Sequence, residues 1–317
     1  MSARSTNSSA TLTDEQSAAR ELVRSWAAGS RAVEAARDVE QGDPDAWRPA
    51  YDGLAQLGTF GVALPEEHGG ADGTVADLCA MLDEAAAAMV PGPGASTAVA
   101  TLVWSDSHAE LLEALASGER TAGVALSADL TYSDGRVSGT AEYVLGGSAG
   151  GVLLLPAGDT WVLVDAAADG VTVEPLAATD FSRPLARVVT DGATAEEMAV
   201  PAQRIVDLTV TVLTAEAAGL ARWCLQTATE YAKVREQFGK PIGSFQAIKH
   251  MCAEMLLRSE QASVAAADAA RAASDSSGRS EDAQLSLAAA LAASVGIEAA
   301  KANAKDCIQV LGGIGIT

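Results

Sequence analysis

The sequence is poor in aromatic residues, which make up 4% of its 317 residues, although apolar residues make up 49%. Much of the apolar content is alanine, a small residue with the highest intrinsic helix propensity. This composition favours helices that pack closely through small side chains at their crossings. The length suffices for two or three domains with a substantial buried core.

Basic residues are also scarce, because 21 Lys and Arg stand against 42 Asp and Glu, giving a formal net charge of −21. Nucleic-acid binding and polybasic membrane anchoring both need a basic surface, so this balance argues against either. An anionic small ligand stays possible in a locally basic pocket. No apolar run reaches the ~20 residues of a membrane span, and residues 1–13 lack the apolar segment of a signal peptide. We therefore expect a cytoplasmic protein.

Cysteine and histidine are too few and too scattered to indicate a metal site. The four cysteines show no C-x-x-C spacing, and we expect them to be buried free thiols in a reducing compartment. The residues concerned are Cys79, Cys224, Cys252 and Cys307, and the three histidines are His68, His108 and His250.

The chain divides into a helical, a strand-rich and a second helical part, with boundaries expected at residues 1–120, 121–203 and 204–317. In the first part, the capping signal at residues 13–16 predicts the start of a helix over 18–39. Further helices are predicted over 46–57, 74–89 and, as one or two helices, 95–116.

Short apolar runs separated by Gly, Pro and Asp predict a small β domain, a barrel or a sandwich, in the middle part. The last part predicts long helices over residues 206–235, 244–273 and 280–311. Helices of about 45 Å bury their faces by packing antiparallel in a bundle. The predicted fold class is therefore mostly α with a small middle β domain and a C-terminal long-helix bundle, which we expect to be incomplete in this sequence.

Two segments carry a family resemblance. Residues 235–246 read R-E-Q-F-G-K-P-I-G-S-F-Q, and residues 309–315 read Q-V-L-G-G-I-G. They resemble the motifs R-x-x-F-G-x-P-I-x-x-F-Q and Q-x-x-G-G-x-G of the acyl-CoA dehydrogenase family. The order of helical domain, β domain and long-helix bundle is similar to that family over almost the whole chain.

The resemblance implies FAD as the cofactor. In the family, both motifs hold the ADP part of a flavin whose isoalloxazine ring lies in the neighbouring subunit. A guanidinium suits a pyrophosphate, and a glycine pair lets backbone amides approach phosphate closely. The cofactor-binding residues implied in this way are Arg235, Phe238, Gln246, Gln309, Gly312 and Gly313.

The β domain departs from the family pattern. Members with a full active site carry a loop like T-E-P-x-A-G-S-D after the first apolar run, where it lines the flavin and the acyl-CoA. Here the run at residues 124–127 is followed directly by 128–132 and a turn, which leaves no room for that loop. The family's Trp-Ile-Thr or Trp-Ile-Ser is matched by Tyr143-Val144-Leu145, and a leucine cannot donate the hydroxyl contact.

The catalytic base is not visible either. In the family, a glutamate removes the α-proton of the thioester while hydride leaves the β-carbon for the flavin. In most members this glutamate follows the G-G-x-G segment, beyond Thr317 here. The position used by a minority matches Thr209, which is no base. Glu216, two helical turns further along the same face, is the remaining candidate. The pattern also fits, and favours, a buried carboxylate paired with an arginine such as Arg222.

Three functions stay open at this point. The first is a subunit or half of a flavin-dependent acyl-CoA dehydrogenase that completes FAD binding for a catalytic partner, in a heterotetramer or with a fused second half, acting on a bulky steroid side-chain thioester. The second is a self-sufficient, homo-oligomeric acyl-CoA dehydrogenase whose base lies beyond Thr317. The third is a flavin-free helical scaffold or regulatory subunit. The resemblance also implies electron-transfer flavoprotein as the electron acceptor.

Overall fold

The computed structural model describes residues 12–103, 108–275 and 283–316. These residues form six helices, then a seven-stranded sheet, then three long helices, so the predicted fold class is confirmed. The predicted start of the last helix at Ser280 lies outside the described residues. The first six helices are α1 Asp14–Ala27, α2 Ala32–Glu40, α3 Arg48–Gln56, α4 Val75–Ala87, α5 Gly94–Leu102 and α6 Ala109–Ala116.

The start of α1 follows the capping signal. The Thr13 hydroxyl accepts from the Gln16 amide at 3.2 Å, and the Gln16 side chain accepts from the Thr13 amide at 3.1 Å. The single helix predicted over residues 18–39 is wrong, because the chain breaks into α1 and α2. The helix α1 ends before Gly29 and Ser30, and Arg31 takes a left-handed conformation with φ of 54° that an α-helix cannot include.

The sheet closes on itself. Its order is β2-β3-β1-β4-β5-β7-β6, and a further pairing of β3 with β7 joins five of the strands into a ring, which is the predicted barrel. The sequence does not predict a strand at residues 129–133, because the segment is mostly polar. In the structure it forms β2, and Leu130 is its one buried residue. The strands are β1 Ala122–Val124, β2 Asp129–Ser133, β3 Arg136–Leu145, β4 Val152–Ala157, β5 Thr160–Asp165, β6 Val171–Pro175 and β7 Leu185–Glu197.

Strand β4 shows how the sheet joins the helices. Leu153 and Leu155 belong to the core inside the ring. Val152 and Leu154 alternate with them and belong to the large core shared with the N-terminal helices. Successive side chains of a strand point to opposite faces, so one fully apolar strand serves two cores.

Three long helices form the C-terminal bundle: α7 Ala202–Val234, α8 Gln246–Asp275 and α9 Ala283–Leu311. The contacts between them are made largely by buried alanines, including Ala218 of α7, Ala262 of α8 and Ala299 of α9. Small side chains let the helix backbones approach closely, as the alanine-rich composition predicted. A two-stranded hairpin, β8 Glu236–Gln237 and β9 Lys240–Pro241, connects α7 to α8.

By length and composition, two described helices could each cross a membrane: α7, and α9 extended to Ile316. Reading uninterrupted apolar runs in the sequence did not reveal this. The apolar segment of α7 is 67% buried against the rest of the chain, and that of α9 is 33% buried. The core helix of a soluble protein passes the same test, so the property is weak support for a span.

Candidate nucleotide-binding end of the helix bundle

The two family-like motifs lie at the same end of the bundle. Ala232 near the end of α7, Ile248 near the start of α8 and Val310 near the end of α9 belong to one apolar cluster. The segments that carry Arg235, Gln246 and Gln309 extend from these three places. Residues more than sixty positions apart in sequence are thereby brought to one surface.

The hairpin between α7 and α8 presents an aromatic ring to solvent. Phe238 and Gly239 occupy its tip with φ of 54° and 77°, as in a type I′ turn, in which both central residues have positive φ. Phe238 is 92% exposed, and its ring meets that of Phe245 edge-on at 6.1 Å. The Lys240 ammonium lies 4.4 Å from the centre of the Phe245 ring.

The end of α9 forms an open glycine pair. Gly312 has φ of 63°, a conformation that suits glycine. Apart from the adjoining backbone, nothing in the described chain lies within 4 Å of the place where a Cβ of Gly312 or of Gly313 would stand. Both glycines are exposed and lack a side chain, so a ligand outside the chain can approach the backbone closely here.

All six residues implied as flavin contacts are exposed. The set fits an ADP group, because Arg235 offers a guanidinium, Gln246 and Gln309 offer carboxamides, and the glycine pair offers backbone amides. Within the described residues, no ion pair of Arg235 is recorded. The guanidinium and the two carboxamides therefore belong to residues that are open to solvent.

The β domain does not offer a matching place for the isoalloxazine ring. Only residues 125–128 connect β1 to β2. Ala125 is buried, and its amide donates to the Leu154 carbonyl at 3.1 Å, while Leu126 is 49% exposed. Leu145 pairs with Val124 at the end of β3. The connection of four residues is too short for the longer loop of the family, and Leu145 has no hydroxyl to donate.

The candidate base Glu216 is engaged in a buried ion pair. Its carboxylate lies 2.8 Å from the Arg183 guanidinium. The sequence suggested Arg222 as the partner of Glu216, which is wrong, because Arg222 lies on another face of α7 and contacts Asp83 and Glu84 of α4. Thr209 is buried, and its hydroxyl donates to a carbonyl of its own helix at 2.7 Å.

A charged cluster joins α1, α4 and α7. Arg20 contacts both Asp83 at 2.5 Å and Glu84 at 2.9 Å, and Arg24 contacts Glu84 at 2.7 Å. Burial raises the pKa of Asp83 despite the nearby Arg222 and Arg20. A cavity of about 420 Å³ lies beside the cluster, between α1, α4, α7 and α8, and none of the six predicted flavin contacts lines it.

The polar contacts that fix the bundle were missed in the sequence. Asn303 is completely buried and bonds to both neighbouring helices, and Arg258 contacts Asp306. The i, i+3 spacing of Asn303 and Asp306 puts them on one face of α9, which was the only available signal. Nothing in the sequence pointed to Arg183.

Two family models match the chain. Acyl-CoA dehydrogenase, N-terminal domain, matches residues 13–119, and acyl-CoA dehydrogenase, C-terminal domain, matches residues 202–317. The segment between them contains all seven strands of the sheet, including the short connection at residues 125–128.

Individual proteins show the same likeness. Acyl-CoA dehydrogenase FadE34 of Mycobacterium tuberculosis is 64% identical over 97% of this chain, which spans only 44% of that protein. Acyl-CoA dehydrogenase IpdE2 of Mycolicibacterium smegmatis is 32% identical over 96% of this chain and 89% of its own length. A solved structure of a variant of the steroid ACAD Tcur3481-Tcur3483 is 28% identical, with a TM-score of 0.83 over 96% of this chain and 88% of that chain.

Proposed function

The chain belongs to the acyl-CoA dehydrogenase family of FAD-dependent oxidoreductases, and from this premise we propose that it is the half of such an enzyme that lacks a complete active site. Its role is to supply the ADP-binding face for a flavin whose ring lies in a second acyl-CoA dehydrogenase unit. That unit is either the rest of a longer chain or a separate subunit. FAD, when bound, accepts the hydride; the residues described here bind and orient its nucleotide end.

The observation that carries this proposal is the contrast between the two ends of one would-be flavin site. At the bundle end, Arg235, Gln246 and Gln309 are all exposed beside an open glycine pair. In the β domain, the chain passes from β1 to β2 through residues 125–128 alone. A unit that held a complete flavin by itself would need a loop for the isoalloxazine ring in the β domain as well as the nucleotide contacts at the bundle end.

The substrate class we propose is an acyl-CoA thioester with a bulky, steroid-like acyl group. The likeness to a steroid ACAD at 28% identity supports this choice. The short β1–β2 connection supports it too, because a missing loop leaves more room where two units meet. Preferential turnover of a steroid side-chain thioester over short linear acyl-CoAs by the complex is the expected result, and equal turnover would contradict it.

The test is a visible absorbance spectrum of the purified protein, produced alone and together with the second unit. We expect a colourless protein alone and a yellow complex with about one flavin per pair of units. A yellow protein alone would instead support a self-sufficient dehydrogenase, the alternative favoured by the near-complete coverage of IpdE2. A complex that is colourless would leave only a scaffold role.

A pair of substitutions then locates the flavin contact. Arg235→Ala removes the guanidinium at the bundle end, and we expect the complex to lose most of its flavin on gel filtration. Lys301→Ala is the matched control, because Lys301 is an exposed cation of α9 that lies 3.6 Å from Glu298. Equal flavin retention by both variants would rule out the proposed ADP-binding face.

A further inference from the structure

One buried side chain of α9 bonds to both of the other bundle helices. Asn303 of α9 is 0% exposed. Its amide nitrogen donates to the Ala221 carbonyl of α7 and to the Met255 carbonyl of α8, both at 3.0 Å. Its amide oxygen accepts from Nε of Arg258 at 2.8 Å. Both N–H groups and the oxygen of the amide are therefore used.

Arg258 extends this network toward the end of α9. Its guanidinium also contacts the carboxylate of Asp306, one turn after Asn303. The two side chains are 26% and 23% exposed, so the pair lies at the border of the bundle core. A guanidinium that bonds an amide with one nitrogen and a carboxylate with another fixes the rotation of α9 about its own axis.

The network lies close to the open glycine pair. Gln309 lies six positions after Asn303, which is about 9 Å along a helix. Asn303 bonds to α7 and α8. Arg235 directly follows the last residue of α7, and Gln246 is the first residue of α8. Donors from three helices must keep their relative positions to hold one nucleotide.

We infer that Asn303 is a positioning residue for nucleotide binding, fixing the end of α9 against α7 and α8 so that Gln309 and the glycine pair stand in register with Arg235 and Gln246. This inference rests on the proposed function. Asn303 itself is buried and does not touch the nucleotide. An amide that bonds two neighbouring backbones permits one register of three helices, whereas an alanine contact permits sliding.

Asn303→Leu is the informative substitution. Leucine has a similar size, and the Ala221 and Met255 carbonyls keep their own helical hydrogen bonds, so the bundle is expected to fold. The substitution removes the side-chain constraint on register and, with it, the acceptor of Arg258 Nε at the border of the core. We expect FAD affinity of the complex to fall about tenfold, the lower end of the loss caused by removing orienting residues around bound metals. The absorbance spectrum at saturating FAD stays unchanged.

Ser286→Ala is the matched control. Ser286 of α9 donates to the buried Asp207 carboxylate of α7 at 2.5 Å, so it is also a polar contact between α7 and α9. It lies about 35 Å from Gln309 along the helix. We expect Ser286→Ala to lower Tm by about as much as Asn303→Leu does. Its FAD affinity is expected to stay unchanged.

The measurement is a titration of the flavin-free complex with FAD, followed by fluorescence quenching, with ADP as a competitor. If nucleotide positioning is affected, the affinity for ADP falls by the same factor as that for FAD. Arg258→Met, which removes the Nε donor at the border of the core, serves as the second variant and decides the matter if Asn303→Leu does not fold.

The outcomes separate this inference from the proposed function. If Arg235→Ala leaves FAD affinity unchanged, the ADP-binding face is wrong and the inference fails with it. If Arg235→Ala weakens binding while Asn303→Leu and Arg258→Met bind FAD as Ser286→Ala does, the proposed function stands and the positioning role is overturned. The inference is supported if Asn303→Leu or Arg258→Met binds both FAD and ADP more weakly while Ser286→Ala binds them normally.

Discussion

The guanidinium of Arg183 and the carboxylate of Glu216 lie 2.8 Å apart, with side chains only 17% and 11% exposed. Arg183 belongs to the segment before β7, and it also donates to the Val90 carbonyl at 2.8 Å. One arginine therefore ties the sheet to α7 and to the segment after α4. We therefore expect Glu216 to act as a structural anchor in this unit rather than as a base.

We predict that Arg183→Ala lowers the free energy of unfolding by about 3 kcal/mol, because it leaves the Glu216 carboxylate buried without its partner. The double variant Arg183→Met with Glu216→Leu is expected to recover most of that loss, since an apolar pair of similar volume replaces the ion pair. Urea unfolding measures both.

Glu216→Gln in the complex is expected to keep turnover. Loss of turnover by orders of magnitude at normal stability would restore Glu216 as the base.

The stability contributed by Glu84 is predicted to depend on pH. Burial alone would raise the pKa of Glu84, but Arg222 and the hydrogen bond from Arg24 hold it below its ordinary value of 4.5. A carboxyl group with a lowered folded-state pKa stabilises the fold above its unfolded pKa and loses this effect as pH falls through the folded pKa. The contribution is therefore fully present at neutral pH and declines below about pH 4.5.

The measurement compares the unfolding free energy of the unchanged protein with that of Glu84→Gln across this range. We expect the difference to be largest at neutral pH and to shrink on acidification below pH 4.5. Glu21→Gln is the control with the same change of charge, because Glu21 is 62% exposed in its contact with Arg24 and an exposed pair contributes little. A difference for Glu84→Gln that does not change with pH would contradict the pKa direction.

The sequence was sufficient for the fold class because its signals were local and repeated. The Thr13 capping box and the long apolar periodicity of α7 each predict one helix boundary or face without reference to the rest of the chain. Residues 18–39 were misread because helical spacing continues across Gly29 and Ser30, and periodicity does not report a single left-handed residue. The strand at 129–133 was missed since its outer face is polar.

Only the part of the candidate site that lies in recognisable sequence motifs could be predicted. The segments around Arg235 and Gln309 could be recognised by their letters, and topology then placed them at one end of the bundle. The partner of Glu216 could not be found, because Arg183 lies in another part of the fold and no spacing rule connects the two. The hydrogen bonds of Asn303 likewise depend on how three helices meet.

The cysteines are predicted to differ in reactivity. Burial raises the pKa of the Cys79 and Cys224 thiols to about 12, and Cys307 is also buried. Cys252 is half-buried, so it is expected to be alkylated first by iodoacetamide in the native protein. Peptide mapping by mass spectrometry after short exposure measures the order. Labelling of Cys224 before Cys252 would show that α7 and α9 separate readily.

The closest approach between α4 and α7 depends on one glycine. A Cβ placed on Gly219 would stand 2.0 Å from the carbonyl oxygen of Asp83. Because the obstacle is backbone, it cannot turn aside as a flexible side chain would. Gly219→Ala is therefore predicted to lower the free energy of unfolding by about 2–3 kcal/mol through overpacking, although alanine alone would favour the helix by about 1 kcal/mol.

Gly150→Ala is the control, since nothing beyond its chain neighbours lies within 4 Å of its added Cβ, and we expect a change of less than about 0.5 kcal/mol. Urea unfolding distinguishes the two.

The substitution at Gly219 also affects the charged cluster, because Arg222 lies one turn after Gly219. Pushing α7 away from α4 also withdraws Arg222 from Glu84. The pH dependence predicted for Glu84 should then weaken in Gly219→Ala, and an unchanged pH dependence would show that the charged cluster forms independently of the helix crossing.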